Sequence, residues 1–254
     1  MNQFSRSELL FGKQGLQNLS QARIAVFGIG GVGGAAAEAL VRSGIGAIDI
    51  FDNDTICLSN LNRQVIALHS TIGRDKVDVM KERLLDINPD LIVNAVKIFY
   101  LPDNADQVDL TLYNYIVDAV DTVKAKLELV VRAWRLQIPI ISAMGAGNKL
   151  DPTKLLVTDI YKTNACPLAR VMRCELRRQG IPKLKVVYST EIPIKSSTTE
   201  DANRNADDVF LDGISHVKVR RKVSPGSNSF VPPAMGMIIA GEIINEIAFG
   251  HQNQ

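Results

Sequence analysis

A run of closely spaced glycines constrains this chain more than any other feature. Residues 28–33 read Gly-Ile-Gly-Gly-Val-Gly, directly after an apolar run at 24–27 and directly before an alanine-rich stretch. This order indicates a strand, a tight turn and a helix. In such a turn, backbone N–H groups approach a phosphate at the helix N-terminus. The candidate phosphate-contacting positions are Gly28, Gly30, Gly31 and Gly33.

Apolar runs and helical patterns alternate along the rest of the chain. Strands are expected at 24–27, 47–51, 94–98, 115–117, 139–142, 155–160 and 185–189. Helices are expected at 34–43, 75–87, 122–137, 167–179 and 234–249. Repeated β-α-β order predicts an α/β fold with a doubly wound, mainly parallel, Rossmann-like sheet. The polar stretch 195–228 is expected to be a mobile loop.

Composition and cysteine usage set the broad class. The chain has 254 residues, is 46% hydrophobic and carries a net charge of +2, which suits one large α/β domain and gives no overall polyanion-binding signature. Its three cysteines form no Cys-x-x-Cys pair, which argues against structural zinc and favours a reducing compartment. The first residues lack an apolar signal core, and acidic residues interrupt the apolar 234–249 stretch. We therefore expect a cytoplasmic protein without a stable membrane span.

Polar residues follow several of the expected strands, where the carboxyl ends of parallel strands would bring them to one edge of the sheet. They are Asp52, Asp54, Asn60, Asn62, Arg63, Gln64, Lys76, Asp118 and Asp121. An acid at the position of Asp52 can bind a ribose, which a dehydrogenase would also require, or can be a simple surface acid. The added guanidinium, amides and ammonium can bind and polarise a triphosphate, and an acid can hold Mg²⁺. A hydride-transfer site would not need so many cations.

Together these motifs closely resemble the ubiquitin-activating-type adenylating enzymes, which include molybdopterin-synthase and thiamine sulfur-carrier adenylyltransferases. The resemblance covers about residues 1–145. It implies ATP and Mg²⁺ as cofactors, attack of a substrate carboxylate on the α-phosphate, and release of pyrophosphate. It implies that Gly31 and Asp52 hold the adenosine side, that Asp121 holds the metal, and that four residues hold the phosphates: Asn60, Asn62, Arg63 and Lys76. It also implies a homodimer in which Arg6 reaches the partner's site, although Arg6 can equally be a solvated surface residue.

Segments of the second half, at 145–152, 166–173, 187–191 and 226–232, look like the branch of that superfamily that dehydrates threonylcarbamoyladenosine on tRNA. The branch uses ATP to activate the threonyl carboxylate beside the anticodon, and an internal attack then closes a ring with net loss of water. The resemblance extends over nearly the whole chain. It predicts one adenylating-enzyme domain over 1–254, with an ATP-binding half at about 1–145 and a substrate and tRNA half at about 146–254.

A local excess of positive charge fits a tRNA partner. Residues 151–190 contain eight Lys or Arg against three acids. Four arginines on the expected helix are candidate tRNA-backbone contacts: Arg170, Arg173, Arg177 and Arg178. A solvated helix face is the alternative interpretation.

Other functions stay open at the level of sequence. The chain could adenylate the C-terminal glycine of a ubiquitin-like sulfur carrier, with a cysteine desulfurase or sulfur acceptor as partner. Activators of that kind often carry two Cys-x-x-Cys zinc pairs, which this chain lacks. A nucleotide-binding scaffold would not need every charge in the set, and a dinucleotide oxidoreductase is the weakest alternative.

Overall fold

A computed structural model describes residues 2–194 and 225–250. Its strands form one seven-stranded sheet in the order β3-β2-β1-β4-β5-β7-β6. Their bounds are β1 (Arg23–Phe27), β2 (Ala47–Phe51), β3 (Ile92–Val96), β4 (Tyr115–Asp118), β5 (Ile140–Ala143), β6 (Leu155–Asp159) and β7 (Lys185–Ser189). Every neighbouring pair is parallel except β6 and β7. The predicted mainly parallel α/β sheet is confirmed.

Helices cover both faces of the sheet. Their bounds are α1 (Ser5–Gln21), α2 (Gly33–Arg42), α3 (Lys76–Ile87), α4 (Val123–Leu136), α5 (Pro167–Arg178) and α6 (Val231–Phe249). Helices α1, α2, α3 and α6 contact one another in one layer, whereas α4 and α5 pack together in a second. Helix α1 has no counterpart among the helices expected from sequence, and it changes direction at Gly12, where φ is 68°.

The central strand β1 shows why two layers are needed. Ile24 and Val26 belong to the hydrophobic cluster beneath α2 and α6, whereas Ala25 and Phe27 belong to the cluster beneath α4. Because successive side chains of a strand point to opposite faces, an apolar run of this kind must be covered on both sides. The ring of Phe27 stacks on that of Phe51 in β2, with centroids 4.3 Å apart.

Helix α6 lies directly against α2. A Cβ on Gly236 would lie 2.3 Å from the carbonyl oxygen of Val32 and 2.9 Å from the amide nitrogen of Ala36, so only glycine permits this approach. The expected packed helix at 234–249 is confirmed and begins three residues earlier. Within residues 2–194 and 225–250, no helix combines the length and apolar character needed to cross a membrane.

The sequence predicts β3 at 94–98, whereas the strand spans Ile92–Val96 and pairs in register with β2 from Ala47 to Phe51. Because β2 ends at Phe51, the residues that the structure describes include no strand to pair with β3 beyond Val96.

Of the expected loop 195–228, residues 195–224 lie outside the described residues. Gly226 is held by Asn148, whose Oδ1 accepts a hydrogen bond from the Gly226 amide at 2.6 Å.

Candidate active site

A cavity of about 500 Å³ opens at the carboxyl ends of β1, β2 and β4. Strand β1 lies between β2 and β4, so connections leave it in opposite directions. Such a switch point is where open α/β sheets bind ligands. The structure brings most of the expected site residues to this cavity: Gly28, Gly30, Gly31, Asp52, Asp54, Asn60, Arg63, Gln64, Lys76 and Asp121.

The glycines of the turn have different local functions. Gly28 has a φ of 89°, and a Cβ there would lie 2.6 Å from the carbonyl oxygen of Ala119. A Cβ on Gly33 would lie 1.8 Å from the Gly28 carbonyl oxygen, and Gly33 does not line the cavity. In contrast, a Cβ on Gly30 would have only Gln64 Nε2 nearby, at 4.0 Å. Gly28 and Gly33 thus shape the turn, whereas Gly30 leaves space open at the cavity surface.

Asp52 fixes this turn to the end of β2. Its Oδ2 accepts a hydrogen bond from the Ile29 amide at 2.6 Å, and its Oδ1 accepts one from the Asp54 amide at 2.8 Å. The carboxylate therefore lies beside the N-terminus of α2. The first N–H groups of that helix have no acceptor within the helix, and they favour a negatively charged ligand.

Lys76 supplies a buried positive charge at the start of α3. Its Nζ lies 2.6 Å from Asp54 Oδ2 and 3.6 Å from Asp52 Oδ1. The Lys76 side chain is 6% exposed, whereas that of Asp54 is 59% exposed. A phosphate entering the cavity can therefore replace the exposed Asp54 carboxylate as the partner of Lys76.

Arg63 lies on the loop between β2 and α3. Its Nη1 donates to the carbonyl oxygen of Ser59 at 2.8 Å and to Asn62 Oδ1 at 2.9 Å. Asn62 does not line the cavity, but its Nδ2 donates to the carbonyl oxygen of Ser227 at 3.0 Å. Asn62 thus orients Arg63 and joins the first half of the chain to the segment that precedes α6.

The two acids after β4 lie in different environments. Asp121 is exposed on the cavity wall, where a carboxylate oxygen can reach a metal bound with the ligand. Asp118 is fully buried and forms an ion pair with Lys126 at 3.0 Å. Over the two described stretches, no group of three or more His, Cys, Asp or Glu side chains is arranged to hold a metal ion.

The apolar end of the cavity was missed from the sequence. It is lined by Ile98, Phe99, Tyr100, Val120 and Ala125. Ile98 was expected inside β3, so its place in this wall follows from the earlier end of that strand. Burial raises the pKa of Tyr100 to about 12, so its phenol stays neutral at physiological pH. The cavity therefore has an apolar end suited to a base and a polar end suited to phosphates.

A buried acceptor on Gln64 is also suited to contact a polar ligand. Gln64 is 6% exposed, and its Oε1 has no hydrogen-bond partner among the residues that the structure describes. An unpaired buried acceptor costs free energy unless a ligand or water satisfies it. Gln64 lines the same cavity as Gly30 and Arg63, so this acceptor lies within the candidate site.

Arg6 is not brought to this cavity. Nearby Phe4 packs beside Gly44, and Gln3 Nε2 donates to Asn88 Oδ1 at 2.9 Å. Gly44 and Asn88 follow α2 and α3, at the amino ends of the strands. Arg6 is exposed near that opposite edge of the sheet and does not line the cavity of its own chain.

The basic helix α5 forms as expected, but its arginines are not equivalent. Arg173 donates to the backbone and hydroxyl oxygens of Thr163, and the guanidinium of Arg177 lies 5.1 Å from the ring centre of Tyr161. Arg178 pairs with Glu175 at 2.7 Å, and Arg170 is exposed. Arg173 is therefore partly occupied by hydrogen bonds within the protein, whereas the other three arginines are exposed to solvent.

Comparison with known proteins identifies the class. A family model described as the ThiF family matches residues 4–248. The chain belongs to the ThiF family, and the resemblance to adenylating enzymes seen in its motifs is confirmed.

Within that family, the chain is similar to particular dehydratases. It is 43% identical to a Bacillus subtilis protein named tRNA threonylcarbamoyladenosine dehydratase, over 97% of this chain and 95% of that one. The crystal structure of Escherichia coli tRNA N6-threonylcarbamoyladenosine dehydratase, TcdA, in complex with ATP matches with a TM-score of 0.82 and 34% identity, over 96% and 93% of the two chains. A molybdopterin-synthase adenylyltransferase of Salmonella typhimurium is 31% identical, over 65% of each chain.

Proposed function

We propose that this chain is an ATP-dependent tRNA threonylcarbamoyladenosine dehydratase. The observation that carries the proposal is the extent of the similarity, because the Bacillus subtilis dehydratase and the Escherichia coli TcdA structure match along nearly the full length of both chains. The sulfur-carrier adenylyltransferase matches over a smaller share of each chain, so it is the less supported alternative. Residues 1–145 are proposed to bind ATP, and residues 146–254 are proposed to face the tRNA.

The cavity suits activation of a carboxylate by ATP. Lys76, Asn60 and Arg63 would contact the phosphates, the N-terminus of α2 would add backbone donors, and the apolar end would hold the base. Asp52 would accept hydrogen bonds from the ribose, in addition to those it receives from the turn. Mg²⁺, when bound beside Asp121, offsets the negative charge of the triphosphate.

The reaction would then need little covalent chemistry from the protein. The threonyl carboxylate attacks the α-phosphorus and pyrophosphate leaves, so the carboxylate becomes a mixed anhydride. A nucleophile within the same substituent attacks the activated carbonyl, loses its proton and expels AMP. Because this nucleophile is tethered, a high effective molarity replaces a second binding site. No cysteine is required: Cys166 is buried, and neither it nor the exposed Cys57 and Cys174 lines the cavity.

Nucleoside mass spectrometry tests this function directly. The protein is incubated with ATP, Mg²⁺ and tRNA that carries threonylcarbamoyladenosine. We expect that nucleoside to lose about 18 daltons, the mass of one water, only when ATP is present. An unchanged mass with folded protein and intact tRNA would contradict the proposal. Pyrophosphate exchange that a sulfur-carrier protein provokes without tRNA would instead favour the sulfur-carrier adenylyltransferase. The partners of such an enzyme would include a cysteine desulfurase or a sulfur acceptor.

We propose a homodimer from the family resemblance, which implies an N-terminal arginine offered across a dimer; Arg6, the candidate, does not line the cavity of its own chain. In this proposal, Arg6 enters the partner's cavity beside Arg63. Mixing two inactive variants, Arg6→Ala and Arg63→Ala, tests the arrangement. Mixed dimers would contain one cavity with both arginines, so up to about a quarter of the activity should return after subunit exchange. No recovery, with mixed dimers demonstrated, would contradict a contribution of Arg6 across the dimer.

The exposed arginines of α5 are proposed to contact the tRNA backbone. Replacing Arg170, Arg177 and Arg178 by alanine should weaken tRNA binding and reduce its salt dependence by about one unit of slope per lost phosphate contact. ATP binding should not change. If tRNA affinity and its salt slope stay at wild-type values, α5 is a solvated helix face. A tRNA substrate agrees with the expected cytoplasmic location, which remains a prediction.

A further inference from the structure

A buried ion pair lies directly behind the turn at 119–122, which forms one wall of the cavity. Lys126 Nζ is 3.0 Å from Asp118 Oδ1, and the two side chains are 1% and 0% exposed. Neither residue lines the cavity, and the proposed chemistry uses neither. We propose that Lys126 is a positioning residue, which fixes the turn at 119–122 and thereby holds Asp121 at the nucleotide site. This inference rests on the proposed function of the cavity.

The hydrogen bonds of Lys126 join three elements. Besides the Asp118 carboxylate, its Nζ donates to the carbonyl oxygen of Ala143 at 2.8 Å and to that of Asp118 at 3.4 Å. The second carboxylate oxygen of Asp118 accepts a hydrogen bond from Ser142 Oγ at 2.7 Å. Asp118 and Ala143 are the last residues of β4 and β5, and Lys126 lies in the first turn of α4.

Both ends of the turn are therefore attached to the same ammonium group. The turn leaves β4 at Asp118 and enters α4 at Val123, so it has little freedom while Lys126 is in place. It also lies against the start of the glycine turn: the Ala119 amide donates to the Phe27 carbonyl oxygen at 2.8 Å, and a Cβ on Gly28 would lie 2.6 Å from the Ala119 carbonyl oxygen. A shift of this turn would move Asp121 and the surface beside Gly28 together.

Stability alone gives a weak reason for such a pair. Removing two charges from water is costly, and well-packed apolar residues of similar volume are often neutral or more stabilising. A buried pair does, however, impose one geometry, because each partner must keep its hydrogen bonds. At the edge of a cavity that must place a metal and a triphosphate, a fixed geometry has a direct use.

The test is a double variant, Lys126→Met with Asp118→Asn. It removes both charges, so that neither charge is left buried without the opposite one. We measure the melting temperature and, by calorimetry, the Kd for a non-hydrolysable ATP analogue with and without Mg²⁺. We expect a folded protein whose Kd with Mg²⁺ rises about tenfold or more. The Kd without Mg²⁺ should rise less, because Asp121 acts through the metal. The tRNA affinity should not change.

A second ion pair, in which the carboxylate is buried and the guanidinium is partly exposed, provides the control. Arg23 at the first residue of β1 pairs with Asp49 at 2.9 Å, away from the cavity. Asp49→Asn should lower the melting temperature without changing the Kd for the analogue. An equal rise in Kd in this control would overturn the inference, because loss of stability alone would then explain the effect.

The remaining outcomes separate the inference from the proposed function. A folded double variant that binds the analogue with Mg²⁺ as the wild type does overturns the inference alone. A wild-type protein that does not bind the analogue overturns the proposed function and the inference with it. If the double variant does not fold, Ser142→Ala removes one hydrogen bond of Asp118 instead. A severalfold rise in Kd is then expected, and an unchanged Kd counts against the inference.

Discussion

Gly30→Ala separates the phosphate-binding role of the glycine turn from its role in folding. The new Cβ would meet only Gln64 Nε2, at 4.0 Å, so the substitution causes no clash within the protein. The backbone of Gly30 does not have a positive φ, so alanine fits its conformation. We expect the free energy of unfolding to change by less than about 1 kcal/mol, because an alanine that fits its site slightly favours the folded state.

Nucleotide binding should respond very differently. The methyl group would occupy the open space at the cavity surface where the backbone approaches a phosphate. Losing one charge-assisted hydrogen bond costs about 1.5–3 kcal/mol. This cost corresponds to a Kd for ATP with Mg²⁺ that is about 10- to 150-fold weaker. Calorimetric titration measures the Kd, and urea denaturation measures the stability.

Gly34→Ala is a matched control, because Gly34 lies four residues after Gly30 in the first turn of α2. Its Cβ would lie 3.5 Å from Val65 Cγ1, an ordinary contact, and Gly34 does not line the cavity. This variant should bind ATP as the wild type does. If Gly30→Ala also binds ATP with wild-type affinity, the backbone at Gly30 does not approach the phosphates, and our account of the turn is wrong.

Three further substitutions test the site. Arg63→Ala should abolish dehydration while far-ultraviolet circular dichroism stays unchanged, because its guanidinium is proposed to stabilise the phosphates; normal activity would remove it from the site. Asp121→Asn should raise the Mg²⁺ concentration needed for half-maximal turnover, and an unchanged Mg²⁺ requirement would refute its metal role. Gly33→Ala would place a Cβ 1.8 Å from the Gly28 carbonyl oxygen, so it should lower the free energy of unfolding by more than about 2 kcal/mol; wild-type stability in urea would contradict the tight turn.

The sheet and the polar end of the cavity follow from local sequence. Strand β1 reads as a continuous apolar run before the glycines, and its burial on both faces matches that pattern. Asp52 and Asp121 could be placed at one edge because each follows a strand of a parallel sheet. These inferences depend on features that lie within a few residues of each other in the chain.

Other features depend on contacts between distant residues. In helix α1 the buried residues are Gly15 and Leu19, so only one large apolar side chain is fully buried. The helix therefore has a weak amphipathic pattern in the sequence. The end of β3 is set by the end of its neighbour β2, not by its own composition. Lys126 looks like a solvated residue of a charged helix, and only the packed structure shows it paired with Asp118.

The contact between α6 and α2 has a consequence for how the protein matures. The glycine turn is synthesised well before α6, which lies about 200 residues further along the chain. A Cβ on Gly31 would nevertheless lie 3.1 Å from Cβ of Pro232 in α6, so this helix covers the outer side of the turn. During translation, we expect the nucleotide pocket to become competent only after α6 has left the ribosome and docked. Stalled nascent chains that end at residue 230 should not retain ATP, whereas chains that carry α6 beyond the ribosome exit tunnel should.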